Sequence, residues 1–81
     1  MNAKMYKSAV EAVLFAVGEP ISAEKIASSI GIERSAVNMI LDELAAEYDD
    51  RERGVCLLRY EDRWQLAARP AFSEFVTRAL D

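Results

Sequence analysis

The chain has 81 residues, of which 52% are hydrophobic and 30% charged, and its 14 acidic and 10 basic side chains give a formal net charge of −4. This length allows one small domain with one modest core. The absence of His and the single cysteine, Cys56, exclude an internal disulfide and a zinc site of the usual nitrogen and sulfur ligands. They also remove every Ser-His and Cys-His pair, so we predict a protein that is not an enzyme and needs no cofactor.

The sequence carries no signal for a membrane. Its longest apolar run, at residues 12–17, has six residues, against the roughly 20 that span a bilayer. No signal-peptide pattern precedes this run. We therefore expect a cytoplasmic protein.

The first predicted helix covers residues 2–17, with Asn2 as its N-cap and Gly18 after its last turn. Glu19-Pro20 prevents the helix from continuing, because the residue before a proline disfavours the helical conformation. The three-and-four spacing of its apolar residues predicts one inward face, formed by Tyr6, Val10, Val13, Leu14 and Val17.

Two further helices are predicted at residues 23–30 and about 34–48, separated by Gly31. Ser22 is a good N-cap for the first of them. The second should face inward through Val37, Ile40, Leu41, Leu44 and Tyr48. Two helices joined by a short turn that contains glycine indicate a helix-turn-helix.

From Gly54 the apolar pattern favours strands, at residues 55–60 and 64–68, joined by a polar turn as in a β-hairpin. Residues 20–22 can add a small first strand. Buried roles are predicted for Cys56 and Trp64. A last helix is predicted after Pro70, and we expect its apolar stripe to cover the hairpin or the first helix. This stripe comprises Phe72, Phe75, Val76, Ala79 and Leu80.

Three helices, a two-stranded wing and a short C-terminal helix predict an α+β, mainly α, winged helix-turn-helix. Residues 1–81 are expected to form a single domain. Since the sequence has no tail, linker, repeat or low-complexity segment, we expect the chain to have been cut at a domain edge.

The charge distribution argues against the usual use of this fold, which places the third helix in the major groove of DNA. Residues 1–32 and 55–81 each sum to zero charge, so the net charge of −4 lies entirely within residues 33–54. Phosphates repel such a helix. Little or no direct nucleic-acid binding is therefore expected, and the weak candidates for it are Arg34, Arg59, Arg63 and Arg69.

The first helix also carries a second stripe, about 120° from its inward face, that consists mostly of small side chains. Met5, Ala9, Ala12 and Ala16 form this stripe, and Phe15 lies beyond it at the polar border. Met39 is predicted on the exposed side of the third helix. Exposed apolar area of this kind suits a protein partner, although the last helix or the hairpin is an equally good candidate to cover the stripe.

Several sequence blocks resemble the N-terminal domain of the bacterial segregation and condensation protein B family, ScpB. The blocks are EAVLFAVGEPIS at residues 11–22, IGI at 30–32, LDEL at 41–44 with Tyr48, WQLA at 64–67 and RPAF at 69–72. The likeness extends over nearly the whole chain, and the first block is the most specific.

This resemblance implies a non-enzymatic subunit of the SMC condensin complex, which acts in chromosome condensation and segregation. It also implies a homodimer that engages the kleisin ScpA and, through ScpA, SMC. Family members carry a second winged-helix domain, and none is present in residues 1–81. The alternative reading is the DNA-binding domain of a transcription regulator, which would need basic residues on the third helix.

Overall fold

A computed structural model describes the whole chain, residues 1–81. It contains four α-helices, a three-stranded sheet and one 3-10 turn, and it confirms the predicted winged helix-turn-helix. In chain order the elements are α1 (Ala3–Val17), β1 (Ile21–Ser22), α2 (Ala23–Ile30), α3 (Arg34–Glu47), β2 (Val55–Tyr60), β3 (Arg63–Ala68), the 3-10 turn (Pro70–Phe72) and α4 (Ser73–Leu80).

The ends of α1 and α2 are set by local chemistry. The side-chain oxygen of Asn2 accepts a hydrogen bond from the backbone N–H of Met5 at 3.0 Å, and the hydroxyl of Ser22 accepts one from Lys25 at 3.1 Å. At their other ends, Gly18 and Gly31 adopt left-handed conformations with φ of 67° and 85°, which cost a side-chain-free residue little. The predicted caps are confirmed at all four ends.

The sheet has the order β1-β3-β2, and both pairings are antiparallel. Ile21 of β1 lies opposite Trp64 of β3, and Leu57 of β2 lies opposite Leu66 of β3. Glu61 turns the hairpin with a φ of 59°. The small first strand and the hairpin thus form one wing beside the three helices.

The core lies where α1, α2 and α3 meet the sheet. One face of each helix contributes to it, and Trp64 of β3 closes it from the sheet side with 6% of its surface exposed. Cys56 is buried as well. The buried helical residues of this core are Val10, Leu14, Ala23, Ile26, Ala27, Val37, Leu41 and Leu44. Val17, which was predicted to face inward, is 40% exposed at the end of α1.

The predicted role of the last helix is wrong. No residue of α4 is buried, and its chief packing is against the 3-10 turn that precedes it. Phe75 is 60% exposed and Leu80 is 82% exposed. The 3-10 turn ends at Phe72 and α4 begins at Ser73, so the helix continues directly from the turn. Its contacts are chiefly with this turn, and its apolar side does not cover the hairpin or α1.

Candidate protein interface

The second stripe of α1 remains exposed in the folded chain. Met5 is 52% exposed and Phe15 is 80% exposed, while Ala12 and Ala16 are exposed and Ala9 is half-buried. The helical period places these residues on a side of α1 separate from the buried Val10 and Leu14. We call these five residues, Met5, Ala9, Ala12, Phe15 and Ala16, the α1 surface.

Phe15 lies beside a polar link between α1 and α3. It borders a shallow depression together with Ala12, Leu66, Glu11 and Tyr48. The hydroxyl of Tyr48 donates a hydrogen bond to the Glu11 carboxylate at 2.5 Å, and this bond is the main reason that the pKa of Tyr48 is raised. This hydrogen bond holds α1, which carries the α1 surface, against the end of α3. Sequence reasoning missed it because 37 residues separate the two partners.

A second polar link joins the same two helices. The Lys7 ammonium forms an ion pair with Glu47 and lies 3.6 Å from the carboxylate of Glu43. The hydrogen bond to Glu47 raises the pKa of Lys7. Part of the negative charge of α3 is therefore compensated within the chain.

Met39 is 67% exposed but does not join the α1 surface. It borders a separate, mostly apolar depression between α1 and α3, whose walls include Tyr6, Ile32 and Ile40. None of the five α1-surface residues lines this depression. The six residues predicted to form one interface thus belong to two patches.

Two of the four candidate nucleic-acid contacts come together. Arg34 and Arg59 border one cleft between the start of α3 and the wing, and the same cleft holds the carboxylates of Glu24 and Asp62. The guanidinium of Arg59 stacks 5.2 Å from the ring centre of Trp64, and its Nε donates to the Glu61 carbonyl at 2.7 Å. The cleft is therefore of mixed charge, and one of its arginines is already engaged.

The other two candidates lie outside this cleft. Arg63 is exposed at the start of β3. Arg69 is half-buried, and its guanidinium donates to the backbone carbonyl of Tyr48 just after α3 ends. The guanidinium of Arg53 lies 4.8 Å from the centre of the Tyr48 ring. Arg69 thus holds the end of α3 against the wing.

A third apolar feature, which the sequence analysis missed, is a trough between α3 and β2. We call it the α3–β2 trough. The sequence did contain a signal for it, the pair Leu57-Leu58. Consecutive side chains of a strand point to opposite faces of the sheet, so two apolar residues in a row indicate that both faces of the strand have apolar surroundings. Its walls are formed by Ala45, Ala46, Tyr48, Asp49, Cys56, Leu57, Leu58, Arg69 and Pro70.

Two further features were sought in the structure, a cluster of metal-ligating side chains and a membrane-spanning helix. It has no group of three or more His, Cys, Asp or Glu side chains placed to hold a metal ion. None of its helices has the length and apolar character needed to cross a bilayer. What the surface presents is apolar patches beside charged side chains, which is chemistry for contacts with other molecules.

Comparison with known proteins identifies relatives along almost the whole chain. Residues 8–81 match the family model described as "Segregation and condensation complex subunit ScpB". Segregation and condensation protein B of Desulforamulus reducens is 36% identical over 72 residues, covering 89% of this chain and 40% of the relative. The Oceanobacillus iheyensis protein of the same name is 32% identical over 82 residues, covering 100% of this chain and 43% of the relative.

Solved structures agree with these sequence matches. ScpB from Mycobacterium tuberculosis superposes with a TM-score of 0.88 at 25% identity, covering 99% of this chain and 50% of that one. An ScpB N-terminal domain, solved as a dimer complexed with a ScpA peptide, superposes with a TM-score of 0.83 at 26% identity. That match covers 94% of this chain and 95% of the solved domain.

The chain spans about two fifths of the length of the curated relatives that it matches. Within that span, the family model runs from residue 8 to the last residue, and the solved N-terminal domain matches along almost its full length. The chain therefore belongs to the segregation and condensation protein B family, ScpB.

Proposed function

We propose that this chain is the self-pairing and assembly domain of a non-enzymatic accessory subunit of the SMC–ScpA–ScpB complex. In this role it pairs with a second copy of itself and engages the kleisin ScpA, and through ScpA it acts with SMC in chromosome condensation and segregation. Such a subunit works in the cytoplasm, associated with the nucleoid through its complex.

One observation carries this proposal. The solved ScpB N-terminal domain that matches 94% of this chain is a dimer complexed with a ScpA peptide. A domain of the same fold and nearly the same extent therefore supports both kinds of contact in a relative. The separate exposed apolar patches of this chain provide room for two kinds of partner.

The α1 surface is the proposed face for self-pairing. Its alanines let the backbone of another helix approach closely, while Met5 and Phe15 supply larger apolar side chains at its ends. Burial of exposed apolar surface favours association by about 25 cal/mol per Å² before the entropic costs of pairing. The links from Glu11 and Lys7 to α3 fix α1, so little ordering of the backbone is needed on pairing.

The test is the solution mass across a concentration series, by sedimentation or light scattering, for the unchanged chain and for Ala12→Glu. We expect a dimer that the variant loses, because a carboxylate in the middle of the α1 surface must be desolvated without a partner. Ser35→Glu is the matched control, since it also places Glu at an exposed helical position, outside the α1 surface. A chain that stays monomeric at all concentrations would contradict self-pairing by this domain.

The alternative function is DNA binding, and the shared cleft of Arg34 and Arg59 is the observation in its favour. Against it stand Glu24 and Asp62 in the same cleft and the acidic α3. We expect fluorescence anisotropy to detect no binding to a DNA duplex at low salt. Tight binding that weakens steeply with salt and is lost in Arg34→Ala/Arg59→Ala would favour the alternative.

A further inference from the structure

The depression that Met39 borders is an apolar concavity that the proposed self-pairing does not use. We call it the Met39 depression, and its walls are formed by Ala3, Tyr6, Ile32, Ala36, Met39, Ile40 and Glu43. Six of these seven residues are hydrophobic. Because the α1 surface contributes none of them, pairing through that surface does not involve the walls of the depression.

The walls of the Met39 depression suit the insertion of an apolar side chain from a partner. Ile32 and Ile40 are half-buried and pack against the core, and Tyr6 of α1 is half-buried as well. Met39 is 67% exposed, and its unbranched thioether side chain adapts readily to a partner's shape. The volume of about 300 Å³ is at the lower limit for pockets that hold small ligands. It matches one or two anchor side chains of a helix laid in a groove.

Two carboxylates of α3 lie one helical turn from Met39, three and four residues further along the chain. Glu43 is the only charged residue in the walls of the depression, and its side chain is 59% exposed. It lies 3.6 Å from Lys7, but that ammonium is paired more closely with Glu47. Asp42 is exposed and takes part in none of the salt bridges of the chain. The apolar depression therefore has a negative border that can accept a cation.

We propose that the Met39 depression binds a segment of ScpA, which inserts an apolar side chain between α1 and α3 and places a Lys or Arg next to Asp42 and Glu43. The inference rests on the proposed function and deepens it by assigning the ScpA contact to one surface. Charge complementarity selects this occupant over a second copy of the chain. A two-fold axis that joined two Met39 depressions would bring the carboxylates of both copies together, and like charges repel.

The methionines provide a direct test, because each proposed contact has its own reporter. The chain has three methionines, of which Met5 lies in the α1 surface and Met39 in the depression. Methyl NMR spectra of the chain with isotope-labelled methionine are recorded during a titration with ScpA from the same organism, and separately during dilution of the chain alone. We expect ScpA to shift the signal of Met39 and dilution to shift the signal of Met5. An unchanged Met39 signal in the ScpA-saturated chain would overturn the proposal.

Variants test the same surface through the affinity for ScpA, measured by isothermal titration calorimetry. Met39→Glu should weaken binding by about tenfold or more, because it places a carboxylate against the inserted apolar side chain. Asn38→Glu is the matched control and should bind ScpA unchanged, since Asn38 is an exposed α3 residue that borders the mixed-charge cleft beside the wing. Asp42→Asn/Glu43→Gln should weaken binding several-fold and reduce its dependence on salt, because a screened charge contact is lost. Unchanged affinity in this double variant would overturn the predicted cation.

The outcomes separate this proposal from the proposed function. If Met39→Glu binds ScpA as tightly as the unchanged chain, the assignment of the ScpA contact to the depression is overturned, whereas engagement of ScpA stands. Equal losses of affinity in Met39→Glu and Asn38→Glu would overturn it as well. If sedimentation shows that Met39→Glu loses the dimer, a second copy occupies the depression and the proposal is wrong. A chain that binds no ScpA would overturn both proposals.

Discussion

Leu14 and Phe15 are neighbours on α1 with opposite environments, and this contrast yields a quantitative prediction. Leu14 is 1% exposed within the core, whereas Phe15 is 80% exposed on the α1 surface. Truncation of a buried leucine to alanine loses its transfer free energy and leaves a cavity, which together cost about 2–5 kcal/mol. At the usual stability per residue, 81 residues correspond to a free energy of unfolding of about 4–12 kcal/mol. Leu14→Ala should therefore remove roughly half of the stability.

Phe15→Ala removes a larger side chain but should change the free energy of unfolding by less than about 0.5 kcal/mol. Urea denaturation followed by Trp64 fluorescence measures both variants, since Trp64 is the single tryptophan and is buried in the core. The experiment is performed at a concentration at which the chain is monomeric, so that loss of pairing does not contribute. If Phe15→Ala costs as much as Leu14→Ala, the placement of α1 relative to the core is wrong.

Two further predictions concern the contacts of Tyr48. Arg69→Ala should lower the free energy of unfolding by about 1–3 kcal/mol, because the Tyr48 carbonyl loses its charged hydrogen-bond donor. Urea denaturation measures this loss, and the control Arg63→Ala, at an exposed arginine, should leave the free energy of unfolding almost unchanged. The free energy of unfolding should also fall as the pH rises above 10.0, the ordinary pKa of tyrosine. In the folded chain the hydrogen bond to Glu11 raises the pKa of Tyr48, so the hydroxyl keeps its proton at a pH at which the unfolded chain has lost it. Tyr48→Phe should reduce this alkaline loss in urea titrations between about pH 8 and 11, and a slope identical to that of the unchanged chain would refute the role of the Glu11 contact. Since the pKa of Lys7 is raised as well, Lys7→Met serves to separate the two groups.

Helices and caps were predictable because they depend on short-range chemistry. Asn2, Gly18, Ser22 and Gly31 act on backbone groups within a few residues of themselves. The inward face of α3 also follows from a local period, and Val37, Leu41 and Leu44 are buried as predicted. The order of these elements was then sufficient to predict the winged helix.

Periodicity could not predict what α4 packs against, nor which groups Arg69 and Tyr48 contact. The stripe of α4 predicts that an apolar side exists, but the direction of the helix depends on how the 3-10 turn leaves β3. The sequence suggests that Arg69 is an exposed cation, whereas its guanidinium donates to the carbonyl of Tyr48, 21 residues earlier in the chain. Contacts of this range depend on the packing of whole elements rather than on the residues between them.

The fold itself engages many of the basic groups that a DNA-binding winged helix would direct toward phosphates. Five of the ten basic side chains make contacts within the chain, namely Lys7 with Glu43 and Glu47, Arg53 with the Tyr48 ring, Arg59 with Trp64 and the Glu61 carbonyl, Arg69 with the Tyr48 carbonyl, and Arg78 with Glu74. Because phosphate contacts supply most non-specific affinity for DNA, each engaged cation weakens that function. The apolar α1 surface and α4 are left without partners in the same chain. This division of charged and apolar surface suits a winged helix that joins proteins to one another.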